Sequence, residues 1–162
     1  MYHSVIFSTG TVVDGVLSGK NTWADWHLIP TSRPVIAPPK YPTKYIEIPG
    51  RAGSLDISNY LTTSATPGDR TGTIEFLVVN EYPNAKGKIV RINDTALIKL
   101  QEDITSFLRG RRLKMSLEDA PAYYYDGRFW VAQWSPDPHN SKISIEYHVD
   151  PTRYLVSSLV QI

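Results

Sequence analysis

The chain has 162 residues, no cysteine, and 17 basic against 16 acidic side chains, for a net charge of +1. The absence of cysteine excludes a disulfide framework, a thiolate zinc site and a cysteine nucleophile, and near-neutral charge argues against a protein that coats nucleic acid. The length suits one domain able to bury roughly two-thirds of its surface.

Apolar runs reach only about four residues (Phe76 to Val79), where a membrane helix needs ~20. The opening Met1-Tyr2-His3-Ser4 lacks the basic and apolar regions of a signal peptide. The expectation is a soluble domain made in the cytoplasm, with no membrane insertion.

Twelve prolines and ten glycines punctuate short β-branched and aromatic runs, the pattern of a mainly β domain. Tyr2 to Ser8 is predicted as the first strand. Asp14-Gly15, between Thr11-Val12-Val13 and Val16-Leu17, predicts a hairpin with a type I′ turn. Gly15 to Asn21 looks like a phosphate-binding loop, but it is one residue short between its glycines and Asn21 replaces the magnesium-binding hydroxyl. Trp23 to Ile29 and Tyr45 to Ile48 read as further strands. Between them, Pro30 to Pro49 carries six of the prolines and must be extended. With no alternation to bury a face, it is either a strap over its own domain or a segment reaching a neighbour. Gly72 to Val79 is a strand with Ile74, Phe76 and Val78 on one face.

Only one segment reads as a helix. Leu97, Leu100, Ile104, Phe107 and Leu108 form a single apolar stripe, with N-caps among Asn93, Asp94 and Thr95, and Gly110 at the left-handed position past its end. Arg109, Arg111 and Arg112 are better read as complements to the helix dipole than as an anion site. Arg128 to Trp134 follows Tyr123-Tyr124-Tyr125-Asp126-Gly127, where Asp-Gly predicts another two-residue hairpin. A looser turn over Ser135 to Ser141 leads to Lys142 to Asp150, the clearest strand: Ile143, Ile145, Tyr147 and Val149 alternate with Lys142, Ser144, Glu146 and His148. The fold class expected is mainly β with one flanking amphipathic helix, a helix-decorated sandwich or an α+β domain.

Site chemistry is sparse. His3, His27, His139 and His148 have no metal-ligand spacing. Glu146, His148 and Asp150 share a strand face and could bind a cation, but the wet face of an alternating strand explains them better. Trp23, Trp26, Trp130, Trp134 and Tyr123 to Tyr125 could stack sugars or bases; core and subunit-interface roles fit better, because adjacent strand residues point to opposite faces. No catalytic, cofactor-binding or metal residue is assigned, no cofactor is expected, and the chain is not read as an enzyme.

An ordered set of segments adds to this. Met1 to Phe7, Lys20 to Pro39 (KNTWADWHLIPTSRPVIAPP), Ile46 to Ser58 (IEIPGRAGSLDIS), Asp69 to Val78, Phe107 to Asp119 (FLRGRRLKMSLED) and Tyr123 to Val131 (YYYDGRFWV) resemble the distal tail proteins of long, flexible-tailed phages and prophages of Gram-positive hosts. The most specific block is Pro49 to Asp56. The resemblance implies a tail-tube-like β-sandwich with one helix, assembled as a homohexameric ring between the last tail-tube ring and the tail-tip or baseplate proteins. It implies residence at the distal end of the tail in the virion. It also implies the short, single-domain form over 1–162, with an inserted hairpin at 10–18 and the Pro-rich strap at 30–49.

Trp23, Trp26, Pro34, Pro38 and Pro39 are the candidate assembly-interface residues. DNA would pass through the lumen without specific binding, so few lysines or arginines are expected there. The alternative from another class is a host-surface carbohydrate-binding β-sandwich module that uses exposed tryptophans.

Overall fold

The structure is a computed structural model that describes residues 2–41, 43–58, 67–79, 81–135 and 141–159. In chain order it begins with β1 (Val5–Ser8), the hairpin β2 (Val12–Val13) and β3 (Val16–Leu17), and β4 (Lys20–Asn21). A turn leads to β5 (Leu28–Pro30), and an extended run leads to the hairpin β6 (Tyr45–Glu47) and β7 (Ser54–Asp56). Next come β8 (Arg70–Val78), the hairpin β9 (Glu81–Pro83) and β10 (Ile89–Arg91), and helix α1 (Asp94–Leu108). The chain continues through β11 (Arg112–Leu117), β12 (Ala120–Ser135) and β13 (Lys142–Val149), then β14 (Tyr154–Leu155) and a 3-10 turn, Val156–Leu159.

The central sheet is antiparallel, ordered β4-β1-β11-β12-β13-β8-β5, with β14 paired to part of β12. Mainly β with one α-helix among the described residues is the class expected from sequence, and the core strands form one continuous sheet. Twist curls that sheet until its two short edges are joined by a single turn: Thr22 N donates to Val5 O and Leu28 N to Thr22 O. Edges this short leave little backbone open to stray pairing.

Inside the curl, Phe7, Phe76, Phe129, Leu28, Met115, Ile143 and Ile145 pack against Leu97, Ile104 and Leu108 of α1. The stripe predicted for the helix is therefore the face that fills the core. Asn93 caps α1, its side chain accepting from Ala96 N at 2.8 Å, a contact worth about 1 kcal/mol. The chain turns left-handed one residue before Gly110, at Arg109 (φ 45°), and stays so at Gly110 (φ 67°).

The Asp14-Gly15 turn forms as expected, with φ of 52° and 76° and Val13 opposite Val16. The equivalent expectation at Asp126-Gly127 is overturned: β12 runs straight through it. Asp126 pairs with Lys114 of β11, and Gly127 sits between Leu113 of β11 and Val149 of β13. With a neighbour on each side, the dipeptide gains more from two ladders than from a turn. Glycine is required there for space, since a Cβ would strike the His148 carbonyl and the Val149 backbone. The β11–β12 turn lies at Glu118-Asp119 instead.

The strand expected over Trp23 to Ile29 is also corrected, because only Leu28–Pro30 is strand. Asn21 Oδ1 accepts from the backbone N of Trp23 and Ala24, at 2.9 and 3.0 Å, and Asp25 Oδ2 accepts from Asn21 N. These local bonds coil the segment into turns. The first strand is likewise shorter than Tyr2 to Ser8, starting at Val5 after His3 adopts φ 49°. Most of the Ser135 to Ser141 turn, His139 included, lies outside the described residues, although Ser135 faces Lys142 across the hairpin.

Candidate assembly surfaces

The proline segment divides in two. Its first part is laid on its own domain: Thr31 N bonds Glu75 O, Pro34 is buried, and Ile36 joins the core. A buried tyrosine fastens it. Tyr147, at 2 % exposure, crosses over Gly72, and its hydroxyl accepts from Ala37 N at 2.8 Å. A Cβ on Gly72 would collide with that ring and hydroxyl, so the missing side chain is what lets Tyr147 reach the strap. Arg70 Nη1 donates to Ala37 O from the same side.

A second fastening lies at Asp119, which accepts from Arg33 Nε at 2.9 Å and pairs with His3 Nδ1 at 2.8 Å. The hydrogen bond from His3, and after it that from Arg33, hold the Asp119 carboxyl below the usual carboxylate range. One side chain thus ties the N-terminal segment, the strap and the β11–β12 turn together.

The sequence-proposed interface residues are dispersed by this arrangement. Trp26 is buried against Phe7 and Phe107, and Pro34 is buried as well. Trp23 is half-buried, stacked on Tyr2 at 3.9 Å between ring centroids, with His27 against its edge. Pro38 is exposed and Pro39 half-buried.

Outward from the core, the sheet presents a polar face on which charges meet across strands. Lys142 pairs with Glu75 at 3.5 Å and His148 Nε2 with Asp69 at 2.7 Å. Arg112 bridges Asp126 and Asp150 at 3.0 and 2.8 Å, and these contacts raise its pKa, with the bond to Asp150 the largest cause. Glu146, His148 and Asp150 do not converge: His148 turns to Asp69, while Asp150 takes Arg112 and Tyr154. Of the arginines after α1, Arg109 bonds Ser106 and Arg111 lies over the Phe107 ring, both on the last helical turn; Arg112 belongs to the sheet. Tyr124 packs with Leu17 and Val156 on one side of β12 and Tyr125 against the main core on the other, so the tyrosine run forms no shared platform.

Two hairpins stand apart. Among the described residues, strands β6 and β7 pair only with each other, as do β9 and β10. Tyr45, Ile46 and Ile48 are exposed on the first, at 58, 44 and 41 %, and Ile89 on the second at 68 %. A lone two-stranded hairpin is marginal in water. The chain's accessible surface, 10416 Å², exceeds the roughly 8,100 Å² usual for a monomer of this mass. Neither β7 nor the second hairpin is predicted from alternation; the available signals were the glycines Gly50, Gly53 and Gly87, all with positive φ, and Asn84, whose side chain accepts from Lys86 N and Lys88 N.

The architecture is one found in the adsorption apparatus of phages. One solved structure it resembles is that of the SPP1 Dit (gp 19.1) protein, described as a paradigm of the hub adsorption apparatus in phages infecting Gram-positive bacteria. The likeness has a TM-score of 0.61 at 16 % identity and covers 94 % of this chain and 51 % of that one. The chain thus spans about half the length of that protein. No family model and no curated protein matches the sequence. At this identity the shared property is the fold.

Proposed function

We propose that the chain is a structural phage tail protein of the distal-tail kind, forming a homohexameric ring that joins the tail tube to the tail tip or baseplate and lets DNA pass. The observation that carries this reading is the fold likeness to a phage hub protein over 94 % of the chain. The ordered motif blocks agree with it.

A closed ring needs heterologous contacts, one face of each copy on a different face of the next. The exposed hairpins and the outer half of the proline segment, from Pro38 onward, supply surface for that task. Pro34 serves it only indirectly, as a buried part of the strap, and Trp26 by packing against Phe7 and Phe107; Trp23, Pro38 and Pro39 lie nearer solvent. The hairpin at 10–18, with Val13 and Val16 exposed, is a further contact surface on this reading. DNA passage asks for a wall that does not grip phosphate, and a face whose lysines and arginines are already paired with carboxylates suits it. The role is assembly, without a catalytic step, and the site of action is the distal end of the tail.

Light scattering on the purified chain, with electron microscopy of the particles, tests this. Six copies of 18.3 kDa give a ring of about 110 kDa. A stable monomer or C₂ dimer that also binds defined glycans on an array would refute it in favour of the carbohydrate-binding alternative.

A further inference from the structure

The second hairpin and the outer face of the helix are complementary in charge, and among the described residues no ion pair joins them within one chain. The segment Glu81 to Arg91 carries Lys86, Lys88 and Arg91 against one acid, Glu81, with which Arg91 pairs at 3.4 Å. Both lysines are exposed, and among the described residues neither ammonium meets a carboxylate. Beside them stands Ile89, 68 % exposed on a strand that, among the described residues, pairs only with its hairpin partner. The hairpin therefore presents an exposed apolar side chain just after two lysines that make no ion pair among the described residues.

Helix α1 shows the opposite arrangement. Its buried row is Leu97, Ile104 and Leu108. On the outer side Asp94, Ile98 and Glu102 follow one another at i, i+4 spacing, with Ile98 56 % exposed, and Asp103 adds a further exposed acid. A shallow groove continues along Ile98, Glu102 and Thr105 and ends at Arg109, whose guanidinium bonds Ser106. From Asp94 to Thr105 the helix carries three acids and one lysine. Among the described residues, Asp94, Glu102 and Asp103 make no ion pair.

We infer that the β9–β10 hairpin of one copy docks on the outer face of α1 of a second copy, Ile89 against Ile98, with Lys86 and Lys88 facing Asp94 and Glu102. The occupant is a second copy because both halves of the complementary pair belong to this chain and, among the described residues, no ion pair joins them within it. The contact is heterologous, hairpin to helix, and repeating it from copy to copy gives a ring where the rotation closes and a filament where it does not. Opposite charges there set orientation and exclude the like-charged pairings of hairpin on hairpin or helix on helix. This inference rests on the ring reading and specifies one of its contacts.

Charge exchange tests it. Lys88→Glu places an acid opposite Glu102, and Glu102→Lys places a base opposite Lys88; each variant alone is expected to self-associate about tenfold or more weakly than wild type in sedimentation analysis. Both positions are exposed, and circular dichroism checks that the fold is kept. Mixing the two variants in equal amounts restores association, because in an alternating array every hairpin–helix contact is again complementary. Alternation closes only on an even number of copies, and six qualifies.

Variants that associate as wild type does, or a mixture that shows no recovery, overturn the docking while leaving a ring built through other surfaces intact. Rescue into particles of another stoichiometry keeps the docking and removes the hexamer. A wild-type chain that stays monomeric at millimolar concentration overturns both.

Discussion

Tyr147→Phe removes one oxygen atom from the molecule and should loosen the proline strap. The hydroxyl is held in the fold, with the tyrosine 2 % exposed, and its partner is the Ala37 amide at 2.8 Å. Phenylalanine keeps the ring packed over Gly72, so the change isolates the hydrogen bond. A part-buried amide left without its acceptor costs roughly 1–2 kcal/mol, more than the net value of an average hydrogen bond, because water reaches it poorly. For a domain of this size each kcal/mol lowers the melting temperature by about 2–4 °C. The local assay is hydrogen exchange at the Ala37 amide, which should speed up more than amides of β8 and β13. Gly72→Ala attacks the same fastening from below, since the added methyl must displace the Tyr147 ring, and overpacking of this kind costs about 1–3 kcal/mol. The two changes share a partner, so the double variant should lose less than the sum. Additive losses, or Tyr147→Phe leaving both the melting temperature and Ala37 exchange unchanged, would refute the clamp.

Two other outcomes follow from the same geometry. Gly127→Asn is expected to destabilise the chain severely, because any side chain there meets the backbone of β13; a variant that folds with wild-type stability in urea titrations would mean that Asp126-Gly127 is a turn after all, where Asn is welcome. Asp119 has a depressed folded-state pKa, from its hydrogen bond with His3 and then from Arg33, so its stabilising contribution is complete above the ordinary carboxylate pKa of about 3.9 and fades as pH falls through the lowered value. The gap in melting temperature between wild type and Asp119→Asn should therefore close on acidification below about pH 4, and a gap constant from neutral pH into strong acid counts against the Asp119 tie.

Local chemistry settled a good part of this fold. Strand β13 is legible because its burial alternates with period two over its whole length, and α1 because one stripe, one Asn cap and a left-handed exit coincide. The Asp14-Gly15 hairpin is legible because, among the described residues, its two strands form their ladder only with each other. The same dipeptide at Asp126-Gly127 misleads, since strands from 112–117 and 142–149 arrive on both sides and their ladders outweigh any local turn preference. Trp23 to Ile29 misleads in the opposite direction, where the Asn21 and Asp25 side chains bond nearby amides and coil a segment of strand-like composition. The candidate interface residues share proline or tryptophan character but not location. Trp26 is drawn into the core and Pro34 is buried, and the more exposed surface lies on hairpins that have no alternation to announce them.

The sequence by itself determined the class, the helix and its core face, the alternating strand, and, through ordered motif blocks, the resemblance to tail proteins. Each of these depends on residues close in the chain, whose spacing alone says which way they point. Tertiary structure decided which strands are neighbours, how the sheet curls until Thr22 and Leu28 join its edges, and why Gly72 must lack a side chain beneath Tyr147. It also decided that Lys86 and Lys88 of the basic hairpin and the acids on the outer helix face are left exposed without an ion pair between them, among the described residues. Those outcomes depend on segments tens of residues distant competing for the same backbone groups and the same space, and no local pattern records who wins.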